Sequence, residues 1–465
     1  MRRNVRRLGE RPLRLPSPPR LLQKTKSFPP MKEEPKIKVG IMEVPNEVKG
    51  VLQGEFFTES LGPLRGSFTV KIEGGRFRFS DHSHRTQDLS SPIRLRPVSK
   101  ATFTLFSVPI GKGFHWERSV SSQFQGSLIL MGSQGNTIIV INEVPMEDYL
   151  RSVIASEMNP SLPLEFLKAQ SIVARSWILS FLERRDKSQT ISKKSERAMG
   201  QEVIRWYSQE SHELYDVCAE DHCQRYQGLL RTDSQRIREA VEETRGEVLF
   251  YQGEICDTRY SKACGGITEN FETAWEDQPV PYLQSISDAP FPFPPLRTEE
   301  EAGRWILSEP EAYCNLKDPT MLERILPELD HPTRDFFRWK VAYLQGELEE
   351  ILREKSGYDF GELKEIIPLE RGPSGRIKRL KIVGSKFDQV VGKELEIRRW
   401  LSRSHLLSSA FTIQREGPQW IFYGAGWGHG VGLCQIGGAV MSLRGCSTEM
   451  ILKHYFQGVE IKKIY

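Results

Sequence analysis

The sequence predicts an α+β fold in which a β-rich N-terminal unit precedes a mixed core of helices and sheets that carries a helical insertion. Three observations predict it. Short alternating strands fill residues 37–140, two amphipathic helices follow directly, and strand-like runs and glycine-rich loops then return until the end of the chain. The 465 residues, 38% of them hydrophobic, are enough to bury a sizeable core.

Residues 1–36 are predicted to be a disordered, basic, proline-rich leader, because they hold too few apolar residues to fold. Residues 1–30 carry nine Lys and Arg against the single Glu10, so the rest of the chain has a net charge of −4. A fold without excess positive charge argues against nucleic-acid binding. The apolar region of a signal peptide is missing after the Arg cluster, and no apolar run is long enough for a transmembrane segment.

The N-terminal part of the predicted domain spans residues 37–140. Alternating apolar residues in stretches such as Phe68–Ile72 and Phe77–Phe79 are typical of half-buried strands. Glycine pairs such as Gly74-Gly75 mark the turns between them. This segment is therefore predicted to form a β-rich unit.

The core is predicted to lie in two parts, residues 141–296 and 367–465. Pro145 suits the first turn of one helix and Pro163 that of a second, with Asn159-Pro160 as the break between them. Residues 297–366 show mostly helical periodicity and are predicted to be an inserted helical subdomain.

A series of motifs in this order resembles the sporulation-protein-D and LytB family. The resemblance covers roughly residues 37–465, and so many blocks in one order are far more specific than any single motif. The blocks are Glu147-Asp148-Tyr149-Leu150, Ala155-Ser156-Glu157-Met158, Leu167-Lys168-Ala169-Gln170, Ala174-Arg175-Ser176-Trp177, Tyr260 through Gly266, Gly372 through Ile377, and Gly426 through Gly432 with Gln435.

This resemblance implies a peptidoglycan lytic transglycosylase. Such an enzyme cleaves the bond between N-acetylmuramic acid and N-acetylglucosamine without water and leaves a 1,6-anhydro end on glycan strands that lack stem peptides. The implied partners are peptidoglycan glycan strands and a cell-wall amidase, and the implied location is the cell envelope.

Glu157 is the predicted catalytic residue. The reaction needs one proton given to the glycosidic oxygen and one removed from the sugar C6 hydroxyl, so a single carboxyl group can serve both steps. Its predicted position at the C-terminal end of the first helix disfavours negative charge, which would favour the protonated acid. Read without the surrounding blocks, Glu157 would be a solvated residue before a helix-ending Asn-Pro.

Several side chains are predicted to bind substrate or to orient Glu157, although each also has a purely structural interpretation. Lys168, seven residues before Arg175 on one helix face, is equally well an exposed helix charge. Gly265 and Gly266 suit either the close approach of a sugar or a tight turn. Trp275 suits either stacking on a sugar ring or packing in the core. His429 suits either a position near the cleft or a hydrogen bond that anchors its loop. The predicted binding residues are Lys168, Gln170, Arg175, Tyr260, Ser261, Gly265, Gly266, Trp275, His429 and Gln435.

A structural zinc site is predicted at His212, Cys218, His222 and Cys223. Two imidazoles and two thiols within twelve residues match the donors of a closed tetrahedral site. The resemblance implies the same four ligands, because some family members carry zinc in such a segment. The alternatives are a Cys218–Cys223 disulfide or unligated surface residues.

Two other functions remain open on the sequence. A hydrolytic muramidase would need a second carboxylate across the bond, for which Asp148, Glu269 and Asp277 are the candidates. A non-catalytic glycan-binding protein that modifies an amidase would not need Glu157 for turnover.

Overall fold

A computed structural model describes residues 33–465 except 112–116, 188–195, 200–201, 208–211, 222, 230–233 and 295. Helices and extensive sheets are both present, and the N-terminal region is rich in strands, which confirms the predicted α+β class. In this described part of the chain, no helix is both long and apolar enough to cross a membrane.

The N-terminal unit is built from antiparallel strands that pair mostly with their neighbours in sequence. The first ten strands join β13 (Val217–Cys218) in one sheet, in which β13 runs parallel to β1. The ten are β1 (Lys36–Pro45), β2 (Glu47–Thr58), β3 (Gly62–Glu73), β4 (Arg76–Asp81), β5 (Thr86–Leu89), β6 (Ile93–Pro97), β7 (Thr102–Ile110), β8 (Arg118–Gln125), β9 (Ser127–Ser133) and β10 (Thr137–Pro145).

Alternation of apolar and polar residues explains how this sheet packs. In β3, Phe68, Val70 and Ile72 are buried, whereas the residues between them are partly or fully exposed. Phe68 stacks on Phe79 of the neighbouring strand with ring centroids 6.0 Å apart. One face of these two strands therefore contributes its apolar side chains to a hydrophobic core.

The middle of the chain contributes helices and several short strands, and helix α1 packs on strands β1 and β10 of this sheet. The elements are α1 (Met146–Glu157), α2 (Leu164–Lys187), β11 (Glu196–Met199), β12 (Glu202–Arg205), α3 (Gln235–Glu243), β14 (Glu247–Tyr251), β15 (Glu254–Ile255), β16 (Tyr260–Ser261) and α4 (Phe271–Ala274).

The remaining elements are helices and strands in mixed order. They are α5 (Glu299–Leu307), α6 (Pro319–Ile325), β17 (Arg338–Leu344), α7 (Gln345–Ser356), β18 (Leu363–Arg371), β19 (Ile377–Gly384), β20 (Asp388–Gly392), α8 (Glu394–Trp400), β21 (Phe411–Glu416), β22 (Gln419–Ala425), β23 (Leu433–Cys434), α9 (Gln435–Leu443), α10 (Thr448–Tyr455) and β24 (Glu460–Lys463).

Two large hydrophobic cores organise these elements. The first joins the N-terminal sheet to α1, α2, α3, α9 and α10, so this sheet and the last two helices share one core. The second lies among α7, α8 and the strands β18, β19 and β20. The sheet β17-β22-β21 lines the second core through Trp339, Phe411 and Phe422.

Two details differ from the boundaries expected from the sequence. The segment 297–366 is not purely helical, because β17 pairs along its whole length with β22. The expected leader 1–36 lies mostly outside the described residues, but Glu34 contacts the fold and Lys36 begins β1. Strand β17 was not predicted within 297–366 because charged helical segments precede and follow it in the sequence.

Candidate active site at the end of helix α1

Helix α1 ends at Glu157, whose side chain is buried. The side chain of Glu34 accepts a hydrogen bond from the backbone N–H of Glu147 at the start of the helix (2.8 Å), which places a negative charge where the helix dipole favours it. The helix stops at Glu157 because Met158 is extended, and its N–H still bonds the carbonyl of Ile154. Asn159 then turns the chain by accepting from the N–H of Ser161.

Three donors surround the Glu157 carboxyl group, whose side chain is only 8% exposed. Lys262 Nζ lies 3.3 Å from Oε2 and also donates to the main-chain carbonyl of Glu157. Gln435 Nε2 lies 3.4 Å from Oε2, and the backbone N–H of Arg225 reaches Oε1 at 3.4 Å. Segments far apart in sequence thus converge on one carboxyl group.

Lys262 connects Glu157 to a buried network of charges. Its ammonium also lies 3.1 Å from Asp330, which in turn pairs with the guanidinium of Arg225. Burial alone would raise the pKa of Asp330, but Lys262 and Arg225 outweigh it and hold that pKa below its usual value. Burial raises the pKa of Asp221, although Arg225 opposes the shift and the charge of Glu157 adds to it.

The sequence predicted only part of the surroundings of Glu157. Its position at the helix C-terminus is as predicted, and burial is present as well. The sequence did not predict the ammonium group of Lys262, which lies 3.3 Å from Oε2 of Glu157 and forms an ion pair with it.

The loop Tyr260–Gly266 brings some of the predicted binding residues next to Glu157. Burial, and then the negative charge of Glu157, raises the pKa of Tyr260 well above its usual value, so its phenol remains protonated. Ser261 is buried one residue before Lys262. Gly265 and Gly266 adopt left-handed backbone conformations in which an added Cβ would meet protein atoms, Gly426 N at 3.0 Å and the Trp305 ring at 2.9 Å. Close packing within the protein therefore accounts for both glycines.

Trp275 and His429 contact each other. Their ring centroids are 4.8 Å apart, and the Arg259 guanidinium lies 4.3 Å from the centre of the Trp275 ring. Burial, followed by the charges of Arg259 and Arg376, lowers the pKa of His429 well below its usual value. Its Nδ1 accepts from the N–H of Val431, which anchors the loop around a neutral imidazole.

Of the three predicted binding residues of α2, two pair with acidic residues and the third is buried. Arg175 is fully buried and pairs with both carboxylate oxygens of Glu147, at 3.1 and 2.5 Å. Lys168 pairs with Glu165 and Glu243 at the surface. Gln170 is completely buried. Arg175 and Lys168 thus pair with acids other than Glu157.

The predicted zinc ligands that the structure describes lie together. The ligand atoms of His212, Cys218 and Cys223 are all within 4.8 Å of one another, and Cys223 Sγ is 3.5 Å from His212 Nε2. His222 lies outside the described residues. One imidazole and two thiols at this spacing fit three corners of a tetrahedral zinc site.

Sequence reasoning missed Lys262, Arg225 and Asp330. Lys262 lies inside the motif Tyr260 through Gly266, and Arg225 lies two residues after the predicted zinc ligand Cys223, so the sequence places both residues beside recognised motifs. Asp330 lies in a charged stretch after α6 that has no recognisable pattern. Only the folded chain places it against Lys262.

Comparison with known proteins agrees with the resemblance. The family described as stage II sporulation protein matches residues 134–251, and a domain of unknown function matches residues 269–432. The stage II sporulation protein D of Bacillus amyloliquefaciens is 27% identical over 70% of this chain and 76% of its own length. An uncharacterised protein of Brachyspira hyodysenteriae is also 27% identical, over 73% of this chain and 72% of its own length. The amidase enhancer of Bacillus subtilis is 23% identical over 89% of this chain, which aligns with 52% of that protein.

Proposed function

Because this chain belongs to the sporulation-protein-D and LytB family, we propose that it is a peptidoglycan lytic transglycosylase with Glu157 as its catalytic acid and base. Its substrate would be glycan strands without stem peptides, and its product would end in 1,6-anhydro-N-acetylmuramic acid. The observation that supports this most strongly is the convergence of Lys262, Gln435 and the Arg225 N–H on the single carboxyl group of Glu157.

One carboxyl group can carry the proposed reaction. Protonated Glu157 gives its proton to the glycosidic oxygen, which leaves with the electron pair of the broken bond. The carboxylate then takes the proton of the C6 hydroxyl as O6 bonds to C1, so Glu157 ends protonated again. No water is consumed, and the ring closed by O6 is the anhydro end.

The neighbours of Glu157 suit the state between these two steps. Once the proton has left, the Lys262 ammonium and the Gln435 amide both face Oε2 and stabilise its charge. The Arg225 N–H does the same for Oε1. These groups keep the carboxylate in place until it accepts the second proton.

The carboxylates considered for a hydrolytic mechanism form ion pairs or hydrogen bonds with other residues. Asp148 pairs with Arg151, and Asp277 pairs with Lys378 and Lys393. Glu269 is buried and accepts from Ser374 and Thr273, and burial raises its pKa. These contacts favour the intramolecular C6 hydroxyl over an activated water as nucleophile.

The zinc proposed at His212, Cys218, His222 and Cys223 would have a structural role. A metal there would join the segment after β12 to the strand β13, which lies at the edge of the large sheet. Four protein ligands close the coordination sphere, so such an ion would supply rigidity and leave the proton transfers to Glu157.

A second candidate is a protein that modifies a cell-wall amidase, which one relative's name, amidase enhancer, favours. The two functions are separated by the products formed from purified stem-free glycan strands in mass spectrometry. The transglycosylase yields anhydro-muramoyl ends, whereas a muramidase yields reducing ends that are heavier by one water. Products that all carry the extra water would overturn the transglycosylase assignment. No cleavage, together with stimulation of an amidase, would favour the second candidate.

A further inference from the structure

Three cysteines and an aspartate form a second cluster, separate from the predicted zinc ligands. Cys264, Cys314, Cys434 and Asp288 are at most 2% exposed, and their ligand atoms all lie within 4.8 Å of one another. They come from four segments, namely the loop after β16, the loop before α5, the loop before α6, and β23. The fold has therefore brought together four groups that the sequence scatters over 170 residues.

The spacing of the sulfurs matches a tetrahedral metal site. Cys264 Sγ and Cys314 Sγ are 3.8 Å apart, and two thiolates bound to one zinc at about 2.3 Å each are separated by about 3.8 Å at the tetrahedral angle. Three sulfurs and one carboxylate oxygen are donors that zinc accepts, and thiolates favour zinc over magnesium or calcium.

Polar groups around the cluster orient the four donors. The N–H of Gly266 donates to Cys264 Sγ at 3.4 Å, and the N–H of Cys264 donates to Cys434 Sγ at 3.3 Å. Such hydrogen bonds favour thiolates because a thiolate sulfur is the better acceptor. Asp288 accepts from the Tyr455 hydroxyl at 2.6 Å and from the N–H of Cys314 at 3.0 Å, and both oxygens retain lone pairs for a metal.

Three further features fit a metal-binding cluster. Cys434 immediately precedes α9, so its sulfur lies at the helix N-terminus, where the dipole favours negative charge. Gly437 in the first turn of α9 has no space for a side chain, since a Cβ would come within 2.3 Å of Asp288 Oδ1. Among the residues that the structure describes, no Lys or Arg forms an ion pair with Asp288. A buried carboxylate without a cationic partner is costly unless a metal ion or a proton neutralises it.

We infer that Cys264, Cys314, Cys434 and Asp288 form a second, closed zinc site. Its location gives it a structural role close to Glu157. Cys264 is two residues from Lys262, and Cys434 directly precedes Gln435, which are two of the donors to the Glu157 carboxyl group. A metal that joins Cys264 to Cys434 would fix the separation of these two donors. This inference concerns metal binding and does not depend on the reaction proposed above.

The test is the zinc content of the purified, reduced full chain. Wild type is expected to hold about two zinc ions per chain, and Cys218→Ser/Cys223→Ser is expected to retain about one, because that change removes only the His212 cluster. In this double variant, adding Cys314→Ser should remove the remaining zinc. The matched control is Cys256→Ser in the same background, since Cys256 is a buried cysteine outside both clusters and its loss should leave the metal content unchanged.

A second measurement covers variants that fail to fold. X-ray absorption at the zinc edge of wild type should show more sulfur per zinc than a site with two histidines and two cysteines provides. A folded Cys218→Ser/Cys223→Ser protein that contains no zinc would overturn the inference. An intact mass lower by two hydrogens, mapped to a Cys264–Cys314 disulfide in the native protein, would overturn it as well.

Discussion

The ammonium of Lys262 lies 3.3 Å from a carboxylate oxygen of Glu157 and 3.1 Å from one of Asp330. All three side chains are at most 8% exposed, so this one cation compensates two buried acids. Arg225 is the second cation of the network and pairs with Asp330 at 3.2 Å. Lys262 is therefore important both for the stability of the fold and for the position of Glu157.

Replacing Lys262 with methionine should lower the free energy of unfolding at neutral pH by about 3–5 kcal/mol, because two buried acids lose their shared cation. Asp330 has a lowered pKa in the fold, so its ion pairs stabilise the protein above its ordinary value of 3.8, and that stability is lost as the pH falls through the lower folded value. The difference between wild type and variant should thus be largest near neutral pH and shrink in acid. Urea unfolding at several pH values measures it.

The control for this prediction is Lys453→Met. Lys453 forms an ion pair with Glu449 in which both side chains are 62% exposed, so its loss should have no measurable effect on stability. Equal destabilisation by Lys262→Met and Lys453→Met would contradict the role of the buried network.

Replacing Glu157 with glutamine should abolish glycan cleavage and leave the fold intact. The amide has the same shape but cannot donate or accept the proton, and the loss of a general acid and base costs about 10²–10⁴-fold in rate. Glu242→Gln, an exposed change on α3, is the control and should retain full activity. Turnover near wild type in a correctly folded Glu157→Gln protein would remove Glu157 from the mechanism.

The sequence predicted those parts of the site that local patterns determine. Pro145 and Asn159-Pro160 delimit α1, which places Glu157 at its end. Gln435 and the predicted zinc ligands His212, Cys218 and Cys223 lie in compact motifs, and the structure places Gln435 beside Glu157 and the other three residues close together. A motif fixes residue types and their spacing along the chain. This is enough to predict a group of residues that are close in sequence and also close in the fold.

Contacts between distant segments could not be predicted in this way. Arg175 lies in a motif, yet its partner is Glu147, and helical spacing alone cannot reveal which acid a buried guanidinium meets. Asp330 and the Cys264 cluster depend on the packing of loops that are up to 170 residues apart. The strand β17 was predicted as helix because helical segments flank it and its pairing with β22 is long-range.

His405 should make the protein sensitive to mild acid. Burial, and then the charges of Arg398, Lys355 and Arg399, lowers its pKa from 6.5 to about 4, and Glu396 opposes them only weakly. Between these two values the unfolded chain binds a proton at His405 that the folded chain does not bind. The stability contributed by neutral His405 is therefore complete above about pH 6.5 and is lost as the pH falls toward 4.

His405→Gln should reduce this loss by up to about 3 kcal/mol, because the amide has no proton to bind. Urea unfolding between pH 7 and about 4 compares the slopes of wild type and variant. His82→Gln, an exposed change after β4, is the control and should leave the slope unchanged. Parallel slopes for wild type and His405→Gln would contradict the prediction.

The buried pair of Arg175 and Glu147 should act on stability and leave substrate binding unaffected. Arg175→Met or Glu147→Gln alone should cost about 3–5 kcal/mol, because each leaves the partner's buried polar group without its main contact. The double variant should cost less than the sum of the two, since the pair is removed together. Glycan binding by each folded variant, measured by calorimetry with stem-free strands below the unfolding temperature, should match wild type. An Arg175→Met protein with wild-type stability and weaker glycan binding would instead return Arg175 to the substrate site, as the motif alone suggested.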